Sequence, residues 1–220
     1  MKRLLLALTL ACAPAVAAAS AASASASVSA ETVFAHPADA ATIRAALVPV
    51  TARLAAAQSI SGPYQQKKYL RELPRPLLAS GDFTFVRDHG ITWRTTTPFA
   101  SELVIQRDAL VQRDANGQEV RIDAAQQPAV RMVARIFFAV FSLDFAELEQ
   151  LFALSLQQDG GGWQLGLQPK QASGTIDAII VSGRNDVERV RLLERGGDRT
   201  EIEFQDTRVS SSAAPAARAR

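Results

Sequence analysis

The stretch from Ser80 to Phe99 constrains the fold more than any other. It reads Ser-Gly-Asp-Phe-Thr-Phe-Val-Arg-Asp-His-Gly-Ile-Thr-Trp-Arg-Thr-Thr-Thr-Pro-Phe. Its alternation predicts two short strands around a turn at Asp88-His89-Gly90. Phe83, Phe85 and Arg87 then share one face, with Asp82, Thr84 and Val86 on the other. On the second strand Ile91 and Trp93 fall together, with Thr92 and Arg94 opposite, and Pro98 closes the unit. One face is therefore aromatic, with a single cation at its end. A sheet with one apolar and one wet face needs a covering layer. What covers it decides the function.

Helical spacing comes before the hairpin. Ile43, Leu47, Val50 and Leu54 recur at three- and four-residue intervals within residues 39–58, and Pro49 is expected to kink or divide this helix. Ser59 to Gly62 is expected to end it. A strand is then expected from Gly62 to Leu73, and Pro74-Arg75-Pro76 makes an extended link into the hairpin. After the hairpin, Leu103 and Ile105 alternate with Glu102 and Gln106. Residues 109–113 and 118–122 flank a turn at Asp114-Ala-Asn-Gly117. Short strands at this spacing are the mark of an antiparallel meander.

The meander is interrupted at Val130–Phe141, Val-Arg-Met-Val-Ala-Arg-Ile-Phe-Phe-Ala-Val-Phe, where only Arg131 and Arg135 break the apolar surface. A helix this apolar is buried or faces a greasy cavity. Asp144 is a candidate N-cap for a second helix carrying Phe145, Leu148 and Leu151. Strands resume at 152–156, 163–167, 176–181, 187–193 and 199–205, separated by glycine-rich turns.

The chain opens with Met1-Lys-Arg, an apolar run from Leu4 to Leu10 and small residues, which reads as a secretory signal peptide. Residues 1–30 are assigned to this signal and an Ala/Ser leader, with candidate cuts after Ala17 or Ala30. Pro14 and the lack of charge beyond the run argue against a membrane span. A single domain is expected over 38–209 and a disordered tail over 210–220. The only cysteine, Cys12, lies inside the apolar region of the signal, early for a lipidation site, so the mature chain would carry no disulfide. Removing Lys2 and Arg3 from the 24 basic residues leaves 22 against 22 acidic ones. A neutral body gives no electrostatic case for nucleic acid, despite a nominal pI near 9.0.

Catalytic chemistry is not supported. His36 and His89 are far apart, no metal-ligand spacing is present, and no Gly-x-Ser-x-Gly or phosphate-cradling loop occurs. Glu147 and Glu149 are two apart, which does not place both on one helical face, and Glu201 and Glu203 suit a solvated strand face. His89 in an Asp-His-Gly turn is expected to be solvent-exposed. Neither a cofactor nor a metal is called for.

The order of elements, with the match running from Gly81-Asp82 to Trp93 and on through Thr96 to Pro98, resembles the LolA family of periplasmic lipoprotein carriers over roughly residues 40–209. The resemblance implies an unclosed antiparallel β-barrel lidded by helices, mainly β with α, and no enzyme chemistry. It also implies an acyl-chain cavity. Its candidate lining is Phe83, Phe85, Ile91, Trp93, Leu103 and Ile105 from the sheet, with Ile136, Phe137, Val140 and Phe141 from the lid. For each residue taken singly, ordinary core packing is the alternative. Arg87 matches a family arginine that bonds the lid helices and is needed for cargo release, although snorkelling from a strand end would also place it there. The sequence departs from the family pattern at Asp88, which stands where a proline is usual, and at Pro49.

The expected activity is periplasmic carriage of acylated lipoprotein or lipid by a monomer, between an inner-membrane donor and an outer-membrane acceptor. Leu73 to Ser80 looks more like divergent members of lipid or aryl-polyene pathways. A structural or assembly protein with a filled core is the competing expectation.

Overall fold

The computed structural model describes residues 32–171 and 175–211. The expected leader, Cys12 and the tail beyond 211 lie outside the described residues.

After a single 3-10 turn at Val33–Ala35 come two short helices, α1 (Ala40–Ala46) and α2 (Val48–Ala56). The Asp39 side chain accepts a hydrogen bond from the Thr42 N–H at 2.7 Å and so caps α1. That bond holds the Asp39 carboxyl below its ordinary 3.8. Pro49 divides the helical run as expected. It falls in the first turn of α2, where its missing N–H would have had no partner within the helix.

Twelve strands follow in one antiparallel sheet: β1 (Ser59–Tyr69), β2 (Leu77–Val86), β3 (Gly90–Thr97), β4 (Ser101–Ile105), β5 (Ala109–Asp114), β6 (Glu119–Asp123), β7 (Phe152–Asp159), β8 (Gly162–Pro169), β9 (Ile176–Gly183), β10 (Val187–Glu194), β11 (Arg199–Phe204) and β12 (Arg208–Ser210). The spatial order is β6-β5-β4-β3-β2-β1-β11-β10-β9-β8-β7, with β12 beside β1. The sheet does not close, because its edges β6 and β7 are not paired with each other. Between those edges the chain forms α3 (Pro128–Ser142) and α4 (Phe145–Leu151). A segment that leaves one edge and re-enters at the other crosses the open side of the sheet, and this makes α3 and α4 a lid. The architecture is an open half-barrel with a helical cover.

Several boundaries differ from the sequence reading: β1 ends at Tyr69 rather than Leu73, and two further differences share one cause. β1 starts at Ser59, not Gly62, because Ser59, Ile60 and Ser61 pair with Val86, Phe85 and Thr84 on one side and with Ser210, Val209 and Arg208 on the other. Ser210, expected in a disordered tail, is therefore a strand residue. Both differences arise from pairing between distant segments, which no local pattern announces.

Edge β7 is shielded by the N-terminal segment. Ala38 N–H donates to Leu154 O and Leu156 N–H donates to His36 O, both at 3.0 Å. Just ahead of it, Val33 is fully buried and the Phe34 ring lies on Gly166, where a Cβ would sit 2.7 Å from the ring.

The hairpin pairs as the alternation predicts: Phe83 faces Trp93, Phe85 faces Ile91, and Trp93 and Ile91 face Leu103 and Ile105 across β3–β4. Gly81 makes the close pairing possible. A Cβ there would lie 1.8 Å from the backbone oxygen of Arg94 and 2.9 Å from Thr95 Cα, neither of which can swing aside. Gly81→Ala is expected to destabilise the domain by about 2 kcal/mol, since the strain falls on backbone rather than on a flexible side chain. Urea unfolding checks it, and an unchanged midpoint would show that β2 and β3 can part without cost.

Candidate functional site

The concave face of the sheet is a continuous apolar floor. Phe83, Phe85, Ile91, Ile105, Leu165, Leu167, Ile179 and Val181 are buried on it, and β11 adds Ile202 and Phe204. α3 lies over this floor. Its C-terminal end is set by Leu143 in the left-handed region (φ 47°), with Asp144 N–H returning to Ala139 O at 2.9 Å. Asp144 then caps α4 by accepting from the Glu147 N–H, as expected.

The lid meets the floor through aromatic rings. Phe141 sits 5.6 Å from Phe83, 5.8 Å from Phe85 and 5.8 Å from Phe204 between ring centroids, and Phe137 stacks on Phe141 at 6.4 Å. Phe138 reaches Phe85 edge-on at 5.9 Å. Tyr64 crosses β2 at Gly81, lies 4.2 Å from Trp93 and shares a 2.7 Å hydrogen bond with Thr95 Oγ1. Burial raises the Tyr64 phenol above its ordinary 10.0, so it stays a neutral hydroxyl.

Among the described residues, no hydrogen bond or ion pair joins an α3 side chain to a strand. Arg131 donates to Ala124 O beside the helix start, Arg135 donates to Glu147 on α4 at 2.6 Å, and Ser142 donates back to Phe138 O. α3 is therefore held on the strands mainly by apolar contact, which has no fixed geometry and can be exchanged for another apolar partner.

Between lid and floor a wholly apolar space of about 50 Å³ remains. Of the expected lining residues, Trp93, Ile136, Phe137, Val140 and Phe141 border it. Phe83, Phe85, Ile91, Leu103 and Ile105 do not. Phe83, Phe85, Ile91 and Ile105 are packed core in this conformation, and Leu103 is half-buried against that core. The rest of the border is Ile179, Val190, Leu192, Ile202 and Phe204, from strands in which the sequence offered no site signal. At roughly 10–15 Å³ per enclosed water the space has room for only a few waters, so an acyl chain could enter only by displacing the phenylalanines of α3. The lid is closed.

Arg87 lies at the end of the aromatic face, but its partners are on α2. Its Nη2 donates to Leu54 O at 2.6 Å and Ala55 O at 3.1 Å, and its Nε to Ala57 O at 3.0 Å. A cation on the last carbonyls of a helix satisfies orphan acceptors and opposes the negative end of the helix dipole. α2 in turn packs on α3, and α1 on α4. Arg87 thus ties the helical layer to the β2–β3 turn.

The remaining candidate acids and bases stay apart. Glu147 serves Arg135, while Glu149 accepts from the Ala40 N–H at 3.2 Å, so the two glutamates turn to different partners. Glu201 and Glu203 pair with Arg199 and Arg189 on the outer face. His36 and His89 are exposed. Among the described residues no group of three His, Cys, Asp or Glu side chains is placed to hold a metal, and no helix is long and apolar enough to cross a membrane.

The chain matches the family model described as outer membrane lipoprotein carrier protein LolA over residues 55–217. No curated protein matches the sequence. Among solved structures, a LolA superfamily protein from Nitrosomonas europaea is 9% identical with a TM-score of 0.40, covering 73% of this chain and 93% of that one. A putative outer membrane lipoprotein-sorting protein domain from Vibrio parahaemolyticus is 10% identical with a TM-score of 0.38, over 74% and 92%. A chain of the Pseudomonas aeruginosa MucA/MucB complex is 14% identical with a TM-score of 0.34, over 78% and 57%. These likenesses are too distant to bear on function.

Proposed function

The chain belongs to the LolA family of outer membrane lipoprotein carrier proteins, and from that premise we propose that it is a non-enzymatic periplasmic carrier of acylated cargo. The apolar moiety would be buried between α3 and the sheet, and the cargo passed from an inner-membrane donor to an outer-membrane acceptor. The observation that supports this most is the attachment of the lid: α3 rests on an apolar floor through phenylalanines, with no side-chain hydrogen bond to a strand among the described residues. Phe137 and Phe141 act as an internal stand-in for cargo. Burying about ten methylenes yields roughly 8 kcal/mol, and re-seating the phenylalanines on release recovers part of that. Empty and loaded states then lie close enough in free energy for hand-over in both directions. In this reading Arg87 is the latch between α2 and the sheet.

A second reading has a specific observation in its favour. The space under the lid is mostly filled, as in a structural or assembly protein that binds partners by its surface. Native mass spectrometry of protein purified from its own periplasm, with lipid extraction, separates the two. The carrier reading expects acyl lipid or lipoprotein bound one-to-one, and lost when Phe137 and Phe141 are both replaced by asparagine. An apo mass with no uptake of acyl probes in solution would leave the structural reading. Aryl-polyene or glycolipid cargo would be identified in the same extract.

A further inference from the structure

The flank of α3 away from the small apolar space borders a second, larger cavity. Arg131, Arg135 and Phe138 on the helix face Phe85, Arg87 and Arg107 across about 430 Å³. Four guanidiniums meet here, and Asp144 and Glu147 are the acids on the border. Both acids are engaged: Glu147 holds Arg135 at 2.6 Å, and Asp144 caps α4. Arg87 donates to the α2 carbonyls and Arg131 to Ala124 O. Arg107 lies over the Phe138 ring at 4.7 Å, while its neighbour Asp108 turns to Arg121 at 3.6 Å. Arg87, Arg107 and Arg131 thus line the cavity with no carboxylate partner among the described residues. They come from three elements: the β2–β3 turn, the β4–β5 turn and the lid.

A group that satisfies guanidiniums converging from three directions needs negative charge and several acceptor oxygens on one centre. Phosphate has both, and a lone carboxylate has too few oxygens. The floor supplies the other half of the recognition. Phe85 and Phe138 line this cavity, and Phe85 stacks on Phe141, which borders the apolar space on the other flank. Raising α3 would join the two cavities, greasy on one side and cationic on the other.

We propose that the arginine-lined cavity is the headgroup subsite for a phosphate-bearing amphiphile whose acyl chain lies under α3. This rests on the carrier reading and narrows its cargo to phosphorylated lipids. Because Arg131 moves with the lid and Arg107 stays with the sheet, a bound phosphate would also bridge the two.

Calorimetry with sub-micellar dodecyl phosphate, sub-micellar dodecyl maltoside and inorganic phosphate tests it, on the mature chain and on the Arg107→Gln, Arg131→Gln double variant. Dodecyl phosphate is expected to bind at least about tenfold more tightly than the maltoside, by an increment that falls with added salt. In the double variant the preference should vanish while maltoside affinity is unchanged, which also shows that the variant is folded. Equal affinities in the parent chain, or a preference that survives the double substitution, would overturn the headgroup site and leave the carrier intact. Inorganic phosphate binding as tightly as dodecyl phosphate would overturn the amphiphile assignment. Binding of neither alkyl probe would sink this inference together with the carrier reading.

Discussion

Phe141→Ala is expected to cost about 3–4 kcal/mol, lowering the melting temperature by roughly 10 °C. The ring is the hub of the lid interface, touching Phe83, Phe85, Phe204 and Phe137, and it is only 8% exposed. Truncation removes those contacts and enlarges the neighbouring 50 Å³ space. Two features make the loss local as well as large. Among the described residues no α3 side chain is hydrogen-bonded to a strand that would hold the helix once Phe141 is gone, and the sheet beneath keeps its own ladder. Amide exchange should therefore accelerate along α3 while β1, β2 and β11 stay protected. A dodecyl probe should restore part of the melting temperature by filling the vacated volume. Uniform acceleration over lid and sheet would mean that α3 does not move as a separate unit, and the displaceable lid would be lost.

The sequence carried the face assignments of this fold because they depend on neighbours two to four residues away. Phe83, Phe85, Ile91 and Trp93 fall on the concave face, and Val130–Phe141 is the lid, as alternation and helical spacing predict. What it did not carry depends on partners far along the chain. Tyr64 meets Phe204 across β1–β11, and that pairing brings Ile202, Val190 and Ile179 to the border of the apolar space. Nothing local in those strands distinguishes a site wall from ordinary core.

Arg87 shows the same division within one residue. Its place at the end of the aromatic face was legible, but the carbonyls of Leu54, Ala55 and Ala57 that it serves are backbone atoms, and backbone acceptors leave no mark on a sequence. Arg107 was not singled out, since a turn arginine has no period. Only the fold sets it over Phe138 and opposite Arg131. β12 and the single 3-10 turn at Val33–Ala35 were not legible because each is only three residues long, too short to show a period.

Arg87→Gln should cost about 3 kcal/mol, more than an ordinary surface arginine. One side chain supplies three charged hydrogen bonds to the end of α2, and two of them are partly shielded from water. Glutamine keeps some of the stem and one amide donor pair, but it loses the charge that opposes the helix dipole, and it cannot span Leu54 O and Ala57 O together. The backbone bond from the Arg87 N–H to Gln58 O remains, so β1 and β2 should hold their register. The change should appear as faster amide exchange in α2, followed by α3, which packs on it. Arg87→Lys should recover less than half of the loss, because a single ammonium matches three divergent carbonyls poorly. If the latch reading is right, the glutamine variant will also load and release an acyl probe faster at nearly unchanged affinity, since both states of the lid lose the same tether. Unaltered exchange rates in stopped-flow fluorescence, alongside the expected stability loss, would reduce Arg87 to a helix-capping residue and remove it from the transport cycle.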